Sequence, residues 1–259
     1  MKYGHIPDPP SDKDLQFSVA EPKLIKLASI NTDNQYLINE YTPISDQSQL
    51  GSCVANSSAD ALEILMGQKG NVIQLSRLFI YYNARLYHNA TKVDDGTCIR
   101  YAFDSVKRFG ICPESSWSYD ESQVFKQPLL EAYKEGEDNS ITGYYKISSN
   151  GKKCGDDIET AIRANHPVVF GTAVSKEYEA YWNADPSVVW SVPKTNIAGN
   201  HAQIIVGIRY MSGNRQFYIR NSWSDRWGIA GHAWYNEDYV CGSISSDFWV
   251  PTLVEELVL

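Results

Sequence analysis

DQSQLGSCVANSSADALEILMG, residues 46–67, decides how the rest of the chain is read. From Ser52 onward Ala, Leu, Ile and Met recur at helical spacing and Gly67 is a natural stop, which predicts a helix starting at Cys53. The first turn of a helix carries unpaired N–H groups and the positive end of the dipole, and both favour negative charge on a thiol placed there. Gly51 keeps the approach to that thiol clear of a side chain. On position alone a small buried cysteine in a core helix is the commoner arrangement. The partners of Cys53 therefore settle its meaning.

Working outward, SRLFIYYNARLYH (76–88) and TCIRYAFDSVKRFG (97–110) read as two more helices, the second with Thr97 as N-cap and Gly110 as C-terminal stop. The second half changes character. DDIETAIRANHP (156–167) is a helix ended by Pro167, and VVFGTAV (168–174) a buried strand. HAQIIVGIRY (201–210) and RQFYIRNSW (215–223) are strands joined by the hairpin signal MSGN, and GHAWY (231–235) adds another. Helices first and antiparallel strands later predict an α+β chain of two lobes. A Pro-, Asp- and Lys-rich arm, 1–28, has little periodicity and is expected to lie along a surface without a core of its own. A helical lobe over 29–140 then carries Cys53, and a β-rich lobe over 141–259 carries His201 and Asn221.

Apolar residues make up 43% and charged residues 21% of the 259, an ordinary globular composition that can bury a sizeable core. The 31 acidic against 23 basic residues give a net charge of −8, which repels phosphate backbones and argues against nucleic-acid binding. No window approaches the roughly 20 apolar residues of a membrane span, and no run of signal-peptide type opens the chain. The five cysteines show no CxxC pair, and the histidines show no metal-ligand spacing. Neither a disulfide scaffold, a metal nor another cofactor is expected.

Of the five histidines only His201 opens a strongly apolar strand, and Asn221 ends the strand that follows it. A turn near Ser212–Asn214 brings both to the same end of one hairpin, within about a residue or two in register. An amide oxygen there can accept the imidazole N–H and fix the tautomer, leaving the other ring nitrogen for a thiol. Thiol, imidazole and amide together are the parts of covalent acyl transfer.

These stretches carry a resemblance. DQSQLGSCVA is similar to the nucleophile region of papain-like cysteine peptidases, NHAQIIVG (200–207) to their histidine strand and NSWSDRWG (221–228) to their Asn-Ser-Trp segment. DDGTCIR, FGICPESSWSY and CGSI resemble pieces of the same family's cleft and second lobe, so the likeness runs from about Asp46 to Gly242. His201 lies ~148 and Asn221 ~168 residues after Cys53, against roughly 130–150 in that family, which implies a longer loop in the second lobe. The resemblance implies a helical lobe and an antiparallel, barrel-like β lobe with the active site between them. It implies a cysteine endopeptidase working through a Cys53 thioester, with His201 as base and acid, Asn221 as its orienter and Gln47 as an oxyanion donor. Gln47→Ala is then expected to slow turnover by about two to three orders of magnitude and leave the fold intact. Gly96, Thr97, Cys98, Asn200, Trp223 and Ser246 are the implied substrate-binding residues, although Gly96 also suits an ordinary turn and Trp223 a strand-end aromatic in a core.

The chain departs from the pattern at Val54, where the family has tryptophan, and at Leu50 and Thr195, where it has cysteines, so Cys241 lacks its usual mate. Against the family's disulfide framework this implies a divergent, disulfide-poor member of bacterial or viral type and favours a reducing compartment (cytoplasm). The expected partner is a polypeptide, met by a monomer. The arm is expected to run backwards through the cleft and block it, as pro-segments of the family do, so that removing 1–28 raises activity. Two alternatives stay open: an acyl transferase using an amine acceptor, and a silent binding protein on the same scaffold.

Overall fold

Apolar periodicity decides where this chain coils and where it extends. The computed structural model describes residues 2–28, 32–148, 150–182 and 185–253. In chain order its elements are α1 (Phe17–Ala28), β1 (Gln35–Leu37), α2 (Cys53–Gln68), α3 (Arg77–Leu86), α4 (Ile99–Phe109), α5 (Leu130–Gly136), β2 (Gly143–Ile147), α6 (Gly151–Arg163), β3 (Val168–Ser175), α7 (Lys176–Glu179), β4 (Val189–Trp190), β5 (Ile197–Met211), β6 (Asn214–Arg220), β7 (His232–Asn236), α8 (Glu237–Val240) and β8 (Ser245–Thr252). Every residue of α2 from Cys53 through Gly67 is buried, the polar Asn56, Ser57, Ser58, Asp60 and Glu63 included, so the helix is central to the fold and its polar groups must find partners inside it. The neighbouring α4 instead buries one stripe, Ile99, Ala102, Phe103 and Val106. Ser76 caps α3 by accepting from the Phe79 N–H at 3.2 Å.

Two local expectations are corrected. The residue capping α4 is Cys98, which gives no side-chain cap, while Thr97 lies before it in the extended chain. The arm also has periodicity after all: α1 buries Phe17, Ala20 and Leu24, three or four residues apart, in the main core. Pro22 and the charges around it hide that stripe from a reading by composition.

The strands form one sheet in the order β2-β8-β3-β5-β6-β7-β4, with β1 pairing off that path onto β5. All pairs are antiparallel except β4 with β7. The middle of β3 and of β5 is buried without alternation, as in strands covered on both faces. The β5–β6 hairpin turns on Ser212 and Gly213, with φ of 51° and 78°, a twist that matches its strands. Ile204 stands opposite Arg220, so Asn221, just past β6, comes level with the His201–Gln203 end of β5.

Helices and sheet are joined by buried ions. Asp60 of α2 holds Arg77 of α3 at 2.8 Å and Arg220 of β6 at 3.1 Å, and Glu63 holds Arg77 at 3.0 Å. Removing one partner of such a cluster costs about 3–5 kcal/mol because it strands the other charge. All five cysteines are free thiols. Among the described residues no helix is long and apolar enough to cross a membrane.

Candidate active site

The start of α2 and the β5–β6 end meet under the N-terminal arm. Cys53 opens α2 after Ser52, which gives no side-chain cap, so the helix's first N–H groups stay open toward the thiol. The Cys53 sulfur takes backbone N–H groups of Ala202, on β5, and of Gly4, on the arm. It is fully buried. Burial outweighs those hydrogen bonds and pushes the thiol up to about 11.

His201 sits beside Ala202 and opposite Thr172 of β3. Its Nε2–H donates to Asn221 Oδ1 at 2.7 Å, which leaves Nδ1 as the bare nitrogen, buried and without a hydrogen-bond partner. Burial pulls the imidazole down to about 4, against the Asn221 hydrogen bond, which favours the charged form. Trp223 stacks on the ring at 4.6 Å and is itself fully buried, so water is kept off the His201–Asn221 bond.

Gln47 is knitted to the Asn221–Trp223 segment. An isolated bridge pairs Asp46 with Trp223, and Gln47 N–H donates to the Ser222 carbonyl at 2.9 Å. The Gln47 Oε1 accepts from Ser222 Oγ at 2.8 Å and Trp223 Nε1 at 3.1 Å. Its Nε2 is thereby turned the other way, donating to the carbonyls of Lys2 at 2.9 Å and Leu50 at 3.0 Å.

The arm threads the groove so formed. Thr97 N–H donates to the Gly4 carbonyl at 2.9 Å, Ile6 N–H to the Thr97 carbonyl at 3.0 Å and His5 N–H to the Asn200 carbonyl at 3.4 Å. Contact is so close that a Cβ on Gly4 would stand 1.7 Å from the Gly51 carbonyl oxygen, and one on Gly96 would stand 2.0 Å from that of Gly4. Tyr3 meets the His201 and Trp223 rings edge-on at 6.2 and 6.4 Å. His5 fills a pocket over Gly171, where its Nε2 lies 3.2 Å from Asp247 Oδ2. Cys98 Sγ donates to the Pro7 carbonyl at 3.6 Å, and burial, then the Asp8 and Asp247 charges, pushes that thiol up to about 12.

Cys53, His201, Asn221, Gln47 and Trp223 thus lie together, and Gly96, Thr97, Cys98 and Asn200 touch the arm rather than an open cleft. Ser246 is exposed; it pairs across the sheet with Gly171, the floor of that pocket, and its Oγ donates to Asp247 at 3.1 Å. Asp247 itself went unread in the sequence. Its signal was a carboxylate opening the buried run Phe248–Val250, a place where an unpaired charge is costly. Ser222, which holds Gln47, carried no signal beyond its neighbours. Among the described residues no group of three or more His, Cys, Asp and Glu is placed to hold a metal.

Residues 31–251 match the papain family cysteine protease family. The chain is 32% identical over 216 residues to an uncharacterized peptidase C1-like protein of Acanthamoeba polyphaga mimivirus, covering 79% of this chain and 68% of that protein. It is 28% identical over 222 residues to cysteine proteinase 2 of Entamoeba histolytica, covering 83% and 66%. The chain therefore spans about two thirds of the length of these relatives. Among solved structures it is similar to xylellain, a cysteine protease from Xylella fastidiosa, with a TM-score of 0.85 and 28% identity over 98% of this chain and 96% of that one. The α+β, papain-like architecture expected from the sequence is the one found. With its fold and its family match in agreement, this chain belongs to the papain family of cysteine proteases.

Proposed function

We propose that this chain is a cysteine endopeptidase in which Cys53 attacks the peptide carbonyl and His201 takes the thiol proton. His201 then gives the proton to the leaving amine and activates water against the thioester. Asn221 fixes the imidazole with Nδ1 toward the sulfur, and Gln47 Nε2 with the Cys53 backbone N–H holds the oxyanion. The groove lies between a helical lobe, described over 32–140 with β1 lent to the sheet, and a β-rich lobe, described up to 253, and substrate main chain takes the places at Gly96–Thr97 and Asn200 that the arm now fills. One observation carries this reading. The Asn221 hydrogen bond leaves His201 Nδ1 bare, while the Cys53 sulfur takes the N–H of the next residue, Ala202.

The arm is read as an internal inhibitor. The Lys2 carbonyl occupies the Gln47 Nε2–H that the oxyanion needs, and burial keeps both thiol and imidazole neutral. Undocking restores water and with it the thiolate–imidazolium pair. Gly4→Val in the full chain forces the arm off the Gly51 carbonyl. Covalent labelling of Cys53 by an epoxide inhibitor should then be at least about tenfold faster than in the native chain. A variant that undocks yet leaves Cys53 unlabelled would sink the assignment.

The pocket that takes His5 marks a subsite suited to cationic side chains. Asp247 is buried there, and Lys146 answers it only from 3.8 Å. Asp247→Asn keeps the left-handed φ of 56° that asparagine tolerates. With the arm undocked, kcat/KM for peptides bearing Arg should fall roughly ten- to hundredfold, while Leu peptides stay unchanged. Equal loss for both would remove Asp247 from specificity.

A further inference from the structure

Away from the groove, α6 and the short α8 press together without space for a side chain. A Cβ on Gly155 would stand 2.1 Å from Glu237 Oε1 and 2.7 Å from Arg215 Nη2. Arg215 locks the contact, donating to Asp156 at 2.8 Å, Glu159 at 2.9 Å and Glu237 at 2.6 Å. Cys154 precedes Gly155 on α6 and is buried. Cys241 closes α8, its N–H donating to the Glu237 carbonyl at 2.7 Å. Gly155 follows Cys154 and packs on Glu237, one turn before Cys241, so this one helix contact brings both thiols to the same seam. Cys241 is only partly buried and borders a cavity of about 790 Å³ lined also by Gly151, Lys152, Arg215, Gly242 and Ser243. The two thiols are therefore unequal: one faces a space large enough for a small peptide, the other stands behind it.

We propose that Cys154 and Cys241 are a thiol–disulfide pair that small-molecule disulfides oxidise through the cavity. The Cys241 thiolate attacks one sulfur of the reagent, RSSR, forming Cys241–S–SR and releasing RS⁻. Cys154 then attacks Cys241 Sγ, its proton passes to the thiolate that leaves, and the second RSH departs. Two protein thiols become one disulfide, and one RSSR becomes two RSH. Cys241 is thus not mateless: its partner comes from α6, ~87 residues earlier, and closing so long a loop restrains the unfolded chain strongly. The link ties α6 to the segment leading into β8, where Ile244 accepts from Ala173 N–H at 2.9 Å and Ser245 Oγ donates to Thr172 Oγ1 at 2.7 Å, beside the His5 pocket. Hydrogen bonding to Cys154, then burial, raises the Cys241 thiol, so oxidation is slow at neutral pH and accelerates about tenfold per pH unit above it.

The test incubates the full chain with glutathione disulfide and maps its peptides without reduction. The expected product carries a Cys154–Cys241 link, has lost two hydrogens, and melts roughly 5–15 °C above the reduced protein. Cys154→Ala and Cys154→Ser should both stop at glutathione on Cys241, with no rise in melting temperature. If either variant is unstable when reduced, the native chain's link and melting shift still decide the matter. A native chain that ends as the mixed disulfide, or whose linked form melts no higher than the reduced one, overturns the proposal.

Discussion

Gln47 shows how one side chain can hold two jobs at its two ends. Its Nε2 is the proposed oxyanion donor, but its Oε1 is the acceptor for Ser222 Oγ and Trp223 Nε1, both buried. Truncation to alanine therefore does not leave the fold untouched, as the sequence alone suggested, because each stranded donor costs about 1–3 kcal/mol. Gln47→Glu separates the jobs, since a carboxyl still accepts from Ser222 and Trp223 while its second oxygen can donate neither to the oxyanion nor, when ionised, to the Leu50 carbonyl. With the arm undocked, kcat should fall by about two to three orders of magnitude while KM stays near that of the parent. A Gln47→Glu enzyme of nearly native kcat would exclude the side chain from oxyanion binding. His201 and Asn221 divide labour in the same way. Asn221 Oδ1 accepts both from His201 Nε2 and, at 2.8 Å, from Ser222 N–H, so the ring's tautomer is set by backbone as well as by the amide.

The arm is two elements with opposite consequences, and truncation tells them apart. Residues 2–8 dock on the groove, and Arg100 holds Asp14 at 2.7 Å, but α1 buries Phe17 and Leu24 in the core. Removing 1–14 should leave melting little changed and expose Cys53, with labelling at least about tenfold faster. Removing 1–28 discards one Phe and one Leu from the core, at about 3–5 and 2–5 kcal/mol, a loss most domains cannot bear. Equal melting temperatures for the two truncations would contradict this division. The sequence showed the groove's elements well because each had a local cue: helical spacing after Cys53, the Ser212–Gly213 turn, a histidine heading an apolar strand. It hid α1 because Pro22 and flanking lysines mask a stripe of only three buried residues. It hid the His5–Asp247 pair because the two stand 242 residues apart, and only the closed fold brings them together.

At the scale of the whole molecule, groove and core respond to acid through separate groups. Docked, His201 is held near 4 by burial, below the ordinary ~6.5 of an exposed histidine. In a Cys53→Ser chain, where no thiolate forms beside it, the undocked imidazole therefore binds the proton more readily, and docking, fully favoured above about 6.5, weakens as pH falls toward 4. Asp247 adds to this at lower pH. Burial would raise it, but His5 and the Asp8 N–H hold it below the usual carboxylate range, so docking is lost as it protonates. Asp8 works the other way, raised by burial and by the Asp247 charge, and favours docking in acid. Inside the core two carboxyls oppose each other: burial would raise Glu40, but His232 and Arg220 hold it low and its contribution is lost in acid, whereas that of Glu63 is not. Burial, offset in part by Arg77, lifts Glu63 to about 7. The folded state thus holds that proton, so this contribution is full below the ordinary carboxyl range and is lost as pH rises from there through 7. Between about pH 6.5 and 4.5 the His201 shift alone should reduce arm docking in this Cys53→Ser chain roughly thirtyfold. Hydrogen exchange of the 4–6 amides, corrected for intrinsic rates, should lose protection by that order, while the amides of β5 keep theirs. Protection at 4–6 that stays constant across the range, or falls together with that of β5, would mean that acid does not free the arm from an intact core.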